Sequence, residues 1–186
     1  MRRRDMLKLF ENVYETDPAT GKEKRVTRYI GPWYTMEKKP RRTCGIVCGI
    51  AWVLAAAAFV TAGVIPSWAG LCGYVVPWYI LCLLPLFYLL LGFVKLLRLK
   101  ENFTEVDKSE SLGYVQTSGL ALAALGGAWS IATVIFLLLN DRSMTLPQEL
   151  IFMGCGVVTA AVGGAVLLAA RKAAGGIRNS EFGIRN

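Results

Sequence analysis

Four acidic residues lie close together in the segment RLKENFTEVDKSESLG, residues 98–113: Glu101, Glu105, Asp107 and Glu110. Clustered carboxylates can hold a divalent metal ion or serve as a general acid and base. Both roles need a buried or concave site, whereas this segment is polar and carries charges of both signs. We therefore interpret the cluster as a solvated, charged loop, and we predict no catalytic residue, no metal site and no cofactor.

Other residue types that support catalysis lack the partners they need. The sequence contains no histidine, which excludes histidine-based acid–base catalysis, metal ligation and pH sensing. Ser130 and Thr133 lie in an apolar run without a neighbouring base, so neither has the setting of an activated nucleophile. Cys44 and Cys48 share a helical face but have no further ligands at zinc spacing. These observations predict a protein that is not an enzyme.

Long uncharged runs dominate the sequence and predict how it is organised. No Asp, Glu, Lys or Arg occurs in residues 43–94, 111–140 or 150–170. The first apolar run begins at residue 44, and its 22 residues would span about 33 Å as a helix, enough to cross a bilayer core. We predict an all-α membrane protein, with residues 44–170 forming a four-helix transmembrane bundle. The predicted spans are residues 44–65, 77–97, 114–139 and 146–170.

A basic arm, residues 1–43, precedes the first predicted span. Apolar residues recur at helical spacing in residues 1–14, MRRRDMLKLFENVY, which predicts a short cytoplasmic amphipathic helix on the membrane surface. Turn chemistry around Pro18 and Gly21, followed by alternation through Val26 and Ile30, suggests a β-hairpin. Two interpretations of this unit stay open: a linker that anchors the chain before the first span, and a docking site for a partner or for acidic lipid.

The distribution of positive charge predicts the orientation. Lysine and arginine number 12 in residues 1–43, four in residues 95–108 and four after residue 170, whereas the loops on the other side contain only Arg142. The positive-inside rule then places both termini in the cytoplasm, in a plasma or inner membrane. The net charge of +8 reflects this membrane surface rather than nucleic-acid binding. The residues predicted to bind anionic lipid, or a membrane or cytoplasmic protein partner, are Arg2, Arg3, Arg4, Lys38, Lys39, Arg41 and Arg42.

Small residues recur at four-residue spacing in three of the predicted spans. Such spacing lets two helices approach closely, either within the chain or in self-association. The third and fourth spans are joined by a short loop and are predicted to pack as a tight antiparallel pair. The predicted packing residues are Gly45, Gly49, Gly119, Ala123, Gly127, Gly156, Ala160 and Gly164.

A proline inside the second predicted span introduces an alternative function. Pro85 predicts a kink, which either fits the helix to its neighbours or opens a path for a solute beside the polar residues of the third span. The predicted path-lining residues are Pro85, Gln116, Thr117, Ser118, Ser130 and Thr133.

The C-terminal residues 171–186 have little apolar content and contain GIRN twice, seven residues apart, which predicts a disordered cytoplasmic tail. No motif in the chain is specific enough to name a family. Two functional hypotheses follow from the sequence. The first is a non-enzymatic accessory or assembly subunit whose basic N-terminal arm engages anionic lipid or a partner. The second is an oligomeric unit for the transport or permeation of small solutes.

Overall fold

A computed structural model describes residues 9–16, 23–140 and 146–180. Within these ranges the helices are α1 Lys38–Val64, α2 Val76–Leu81, α3 Leu83–Arg98, α4 Glu105–Leu139 and α5 Leu146–Gly175. The strands are β1 Phe10–Thr16, β2 Glu23–Tyr29, β3 Trp33–Met36, β4 Asn102–Thr104 and β5 Ile177–Ser180, and a short 3-10 turn covers Ala69–Leu71. The protein is therefore mostly helical, with small strands near the chain ends and between α3 and α4.

Within the described residues, four helical segments are long and apolar enough to cross a membrane. They are α1 with 27 residues, the segment Val76–Arg98 with 23, α4 with 35 and α5 with 30. The prediction of four helices with this length and composition is confirmed. Three of them extend well beyond the predicted limits, because α1 begins at Lys38, α4 begins at Glu105 and α5 continues to Gly175.

The long helices pack as a four-helix arrangement in which each has two principal neighbours. α1 packs against α3 and α5, and α4 packs against the same two helices. One part of the buried core surrounds Leu89, Leu122 and Val166, and the other surrounds Trp129 and Phe152. Many large apolar side chains on the outer faces are exposed, as expected for helices whose solvent is lipid.

The second apolar segment is broken between α2 and α3, at Cys82. Pro85 has no backbone N–H to donate to the carbonyl of Leu81, and its ring crowds the preceding turn. Regular bonding resumes where the amide of Leu86 donates to the carbonyl of Cys82 at 3.2 Å. At the place of the predicted kink, the structure therefore has a one-residue break in the helix, three positions before the proline.

A three-stranded antiparallel sheet joins distant parts of the chain at one end of the helices. β3 lies in the centre and pairs with β4 on one side and β5 on the other. Phe103 of β4 and Met36 of β3 are buried and extend the helical core to the sheet. We call this region, residues 33–43, 95–110 and 171–180, the charged end; residues 65–75, Asn140 and Leu146 lie at the opposite end.

The predicted N-terminal helix is corrected, because residues 10–14 belong to strand β1. β1 pairs with β2 in an antiparallel hairpin, with Val13 opposite Val26 and Phe10 opposite Tyr29. An isolated helix of this length is only marginally stable in water, whereas the hairpin pairs its backbone and side chains across two strands. The suggested β-hairpin is thus present; residues 1–8 and its predicted turn at residues 17–22 lie outside the described residues.

The predicted disorder of residues 171–186 is also corrected for the part that the structure describes. α5 continues through Arg171 and Lys172 to Gly175, and the first GIRN copy forms the turn and strand that pair with β3. Met36 lies opposite Ile177 in this pairing. Residues 181–186, including the whole second copy, lie outside the described residues.

Candidate functional site

The N-terminal arm is attached to the helices through two tyrosines at the charged end. Tyr29 donates a hydrogen bond to the carbonyl of Pro32 at 3.0 Å and accepts one from the amide of Glu105 at 3.1 Å. Tyr34 donates to the Glu105 carboxylate at 3.4 Å, and the Lys108 ammonium lies 4.4 Å from the centre of the Tyr34 ring. Burial, with the nearby Glu105 carboxylate, raises the pKa of the Tyr34 phenol above its ordinary value. The arm is therefore fixed at its base.

The seven basic residues predicted for lipid or partner binding have different environments. Arg2, Arg3 and Arg4 lie outside the described residues. Lys38 forms an ion pair with Glu101 at 2.7 Å, and the Arg41 guanidinium donates to the carbonyl of Leu99 at 2.6 Å. Lys39 and Arg42 are exposed and form no ion pair with any residue that the structure describes. Two of these side chains therefore bind the α3–α4 connection, and the other two are exposed.

The acidic residues of the segment 98–113 serve as local structural contacts. Hydrogen bonding by the Lys38 ammonium holds the pKa of the Glu101 carboxylate below its ordinary value. Thr104 and Asp107 form a reciprocal capping box that starts α4 nine residues before the predicted span. Glu110 forms an ion pair with Lys95 at 2.7 Å. In the described part of the chain, no group of three His, Cys, Asp or Glu side chains could hold a metal ion.

An open groove of about 640 Å³ separates the start of α1 from the last turns of α5. Lys39 and Thr43 stand on one wall and Lys172 on the other, and all three side chains are exposed. The apolar part of the groove runs away from the sheet. Its remaining lining residues are Glu37, Pro40, Cys44, Val47, Ala165, Leu168, Ala169 and Ala173.

The predicted path-lining residues are not gathered around one channel. Pro85, Thr117 and Ser118 share a groove of about 500 Å³ between α3 and α4, together with Tyr88 and Tyr114. Gln116, Ser130 and Thr133 do not line that groove. The hydroxyls of Ser118, Ser130 and Thr133 donate to carbonyls of their own helix, four residues earlier.

The predicted packing residues divide into those at a helix contact and those beside it. Gly119 faces the backbone of α5, where an added Cβ would lie 3.1 Å from the Gly163 carbonyl oxygen. A Cβ added at Gly127 or Gly164 would meet nothing within 4 Å. Gly126 makes the close contact instead, because its Cβ would lie 2.7 Å from the amide nitrogen of Ala160.

The remaining predicted packing positions also lie near helix contacts. The predicted Ala123 lies against Gly163, where an added Cβ would clash with the Ala123 backbone, and a Cβ added at the predicted Gly156 would lie 2.6 Å from the Ser130 hydroxyl. On α1, a Cβ at Gly49 would lie 3.2 Å from the Phe93 ring, and one at Gly45 would lie 3.6 Å from Leu97.

A buried acidic residue at the opposite end is absent from the sites predicted from the sequence. Glu149, in the first turn of α5, is fully buried. Its carboxylate accepts hydrogen bonds from the Ser67 hydroxyl at 2.7 Å, the Trp68 amide at 2.8 Å and the Ala69 amide at 3.2 Å. The Ser67 oxygen in turn accepts the amide of Gly70 at 3.1 Å. Glu149 therefore attaches the α1–α2 connection to the start of α5. One signal in the sequence marks it, a lone acid at the start of an apolar run.

An aromatic cluster lies directly beneath this connection. The rings of Phe59 and Tyr79 stack at 4.5 Å, and Trp129 and Phe152 meet edge to face at 5.1 Å. The Tyr79 hydroxyl donates to the carbonyl of Phe59 at 3.1 Å. Residues from four helices thereby form one core beside Glu149.

Comparisons of this chain with protein-family models, with curated proteins and with solved structures find no match.

Proposed function

We propose that this chain is a non-enzymatic multi-pass integral membrane protein whose four apolar helices cross a plasma or inner membrane, with both termini in the cytoplasm. Its proposed role is that of an accessory or assembly subunit whose basic N-terminal arm engages anionic lipid, or a membrane or cytoplasmic protein partner. The observation that carries the proposal is the assembly of the charged end, where β3 ties the arm to the α3–α4 connection and to the end of α5.

The placement of basic residues supports this role. Because β3 leads directly into α1, Lys39 and Arg42 come to the same end of the helices as Arg98, Lys100 and Lys172. Positive charge concentrated at one end of apolar helices marks the cytoplasmic side of a membrane protein. A basic residue held near an anionic surface contributes about 1 kcal/mol to membrane attraction. The fixed base of the arm keeps these charges close to the bilayer.

The hairpin supports the protein-partner form of the proposal. β1 and β2 form a two-stranded sheet, and Tyr14 and Ile30 expose 67% and 56% of their surface. Two-stranded sheets are marginal by themselves, and an open edge can accept a further strand.

The proposed absence of catalysis is supported by the hydroxyls of the apolar helices. Those of Ser118, Ser130 and Thr133 donate hydrogen bonds to the backbone of their own helix.

Purification of the tagged chain from its native membrane in mild detergent, with mass spectrometry of bound proteins and lipids, tests the proposal. We expect a stoichiometric protein partner or retained anionic phospholipid. Replacement of the seven basic residues Arg2, Arg3, Arg4, Lys38, Lys39, Arg41 and Arg42 by Gln should weaken that association and disturb the orientation. Gln at the exposed Arg98 and Lys100 is the control, since both lie at the charged end but outside the arm. A chain that retains neither partner nor lipid would contradict the proposal.

One observation favours the second candidate function, an oligomeric unit for small-solute transport or permeation. The groove between α3 and α4 combines the helix break before Pro85 with the hydroxyls of Thr117 and Ser118. Four helices enclose little aqueous space, so several copies would have to surround the path. A solute-flux assay in vesicles, comparing the wild type with Pro85→Ala, tests this function. Flux that depends on Pro85 would support it, and no flux for any solute class would count against it.

A further inference from the structure

We infer that the groove between α1 and α5 is a binding site for one acidic phospholipid, whose phosphate lies between Lys39 and Lys172 and whose acyl chain follows the apolar floor. This inference rests on the proposed function and deepens it, because it places lipid recognition at a defined groove that includes a residue from the opposite terminus of the chain. Lys172 is not part of the N-terminal arm.

The two lysines face the groove from separate helices. Lys39 is in the first turn of α1 and Lys172 is in the last turn of α5, and both line the groove. Neither ammonium forms an ion pair with a residue of the described ranges. By contrast, Lys38 and Lys95 have carboxylate partners at 2.7 Å. The groove therefore presents two positive charges that the described residues leave uncompensated, and Thr43 adds a hydroxyl beside them.

The negative charge beside the groove is already balanced. Glu37 lines the groove, but its carboxylate lies 3.8 Å from the guanidinium of Arg178 on β5. The sum of Glu37, Arg178, Lys39 and Lys172 is positive. An acidic headgroup would offset part of this positive charge, whereas a zwitterionic headgroup would add a cation of its own beside the lysines. Charge complementarity thus favours an acidic headgroup.

The floor of the groove distinguishes a lipid from a soluble phosphate compound. On α5, the small side chains of Ala165 and Ala169, one turn apart, leave room in the groove, and Leu168 exposes 60% of its surface. Val47 lines the groove from α1. These side chains continue from the lysines along the apolar helices. A free phosphate compound would leave this floor uncovered, whereas an acyl chain would cover it. Basic sites between helices at the cytoplasmic surface have the chemistry that holds anionic lipid headgroups.

The test uses the purified chain in nanodiscs of phosphatidylglycerol and phosphatidylcholine, with native mass spectrometry of the lipid retained after detergent extraction. We expect phosphatidylglycerol to be retained selectively. The double variant Lys39→Gln/Lys172→Gln should retain it at least tenfold less, because roughly 1 kcal/mol for each basic residue corresponds to about fivefold in affinity. The charge-matched control is Lys100→Gln/Arg171→Gln, which removes the same charge from exposed positions at the charged end, outside both the groove and the N-terminal arm.

A second variant separates shape from charge. Ala165→Trp fills the floor without changing any charge, and it should reduce retention as strongly as loss of the lysines. Glycerol phosphate should not displace the lipid, and displacement would show that the groove binds soluble phosphate instead. Equal losses in both double variants would overturn the groove and assign lipid retention to the general positive charge of the charged end, which leaves the proposed function standing. No preference for phosphatidylglycerol in the wild type, with a protein partner still co-purifying, would overturn the groove but not the proposed function.

Discussion

The carboxylate of Glu149 accepts a 2.7 Å hydrogen bond from the hydroxyl of Ser67, 82 positions earlier in the chain. With the amides of Trp68 and Ala69 as further donors, this carboxylate accepts from N–H groups at the start of the 3-10 turn, which such a short turn cannot pair internally. Glu149 also lies in the first turn of α5, where a negative charge interacts favourably with the helix dipole. One buried side chain thus joins the α1–α2 connection to α5.

We expect Glu149→Gln to destabilise the protein by about 1–3 kcal/mol, because an amide can no longer accept from all three donors. The change should also loosen the connection that leads to Cys72, a half-buried thiol. Unfolding in mixed detergent measures the first effect, and the rate of maleimide labelling at Cys72 measures the second. Gln148→Ala, at the exposed neighbouring position, should change neither quantity. An unchanged labelling rate in Glu149→Gln would show that the connection is held by other contacts.

Adjacent glycines on α4 should respond in opposite ways to the same substitution. Gly126→Ala places a Cβ 2.7 Å from the amide nitrogen of Ala160, so α4 and α5 must separate. We expect a loss of about 1–3 kcal/mol in the free energy of unfolding, the usual effect of overpacking. Gly127→Ala enters open space and should be neutral or slightly stabilising, since alanine favours helix more than glycine. Equilibrium unfolding of the two variants gives the comparison, and equal stabilities would contradict the assigned interface.

The difference between these glycines explains which part of the packing could be predicted from the sequence. The pairing of α4 with α5 follows from their small residues and short loop, but the contacting face does not. A four-residue step rotates the side-chain direction by about 40° beyond a full turn, whereas a seven-residue step falls only about 20° short of two turns. Gly119 and Gly126 therefore stay on one face, as do Gly156 and Gly163, and Gly127 and Gly164 drift away.

The charged end was less predictable because it is built from pairings distant in sequence. Residues 33–36 pair both with residues 102–104 and with residues 177–180, and no local pattern records that three short polar segments will meet. Residue by residue, the C-terminal segment has the composition of a disordered tail. Its order comes from the free edge of β3. Glu149 was missed for a similar reason, since its donors lie on a loop that the sequence marks only as a turn.

Pro85→Ala should restore a continuous helix from Val76 to Arg98. Alanine supplies the N–H that can donate to the Leu81 carbonyl, and it removes the ring that crowds the preceding turn. Double electron–electron resonance between spin labels at the exposed positions Trp78 and Leu97 measures the effect, and we expect the distance between the labels to change. Pro77→Ala should leave that distance unchanged, because proline in the first turn of α2 removes no needed hydrogen bond. The same distance in both variants would place the cause of the break elsewhere.

The ion pair between Lys38 and Glu101 makes the link between α1 and the α3–α4 connection sensitive to acid. Hydrogen bonding by Lys38 lowers the pKa of Glu101 in the folded protein below its ordinary value of 4.5. The stabilising contribution is therefore complete above that ordinary value and is lost as pH falls through the folded pKa. Carbon-13 NMR of a labelled Glu101 carboxyl should give a midpoint below 4.5 in the wild type, rising toward that value in Lys38→Gln. Arg42→Gln is the control, because it removes a nearby charge without removing the ion pair, and it should leave the midpoint close to that of the wild type. A shift as large as that of Lys38→Gln would instead assign the lowered pKa of Glu101 to the general positive charge of this end.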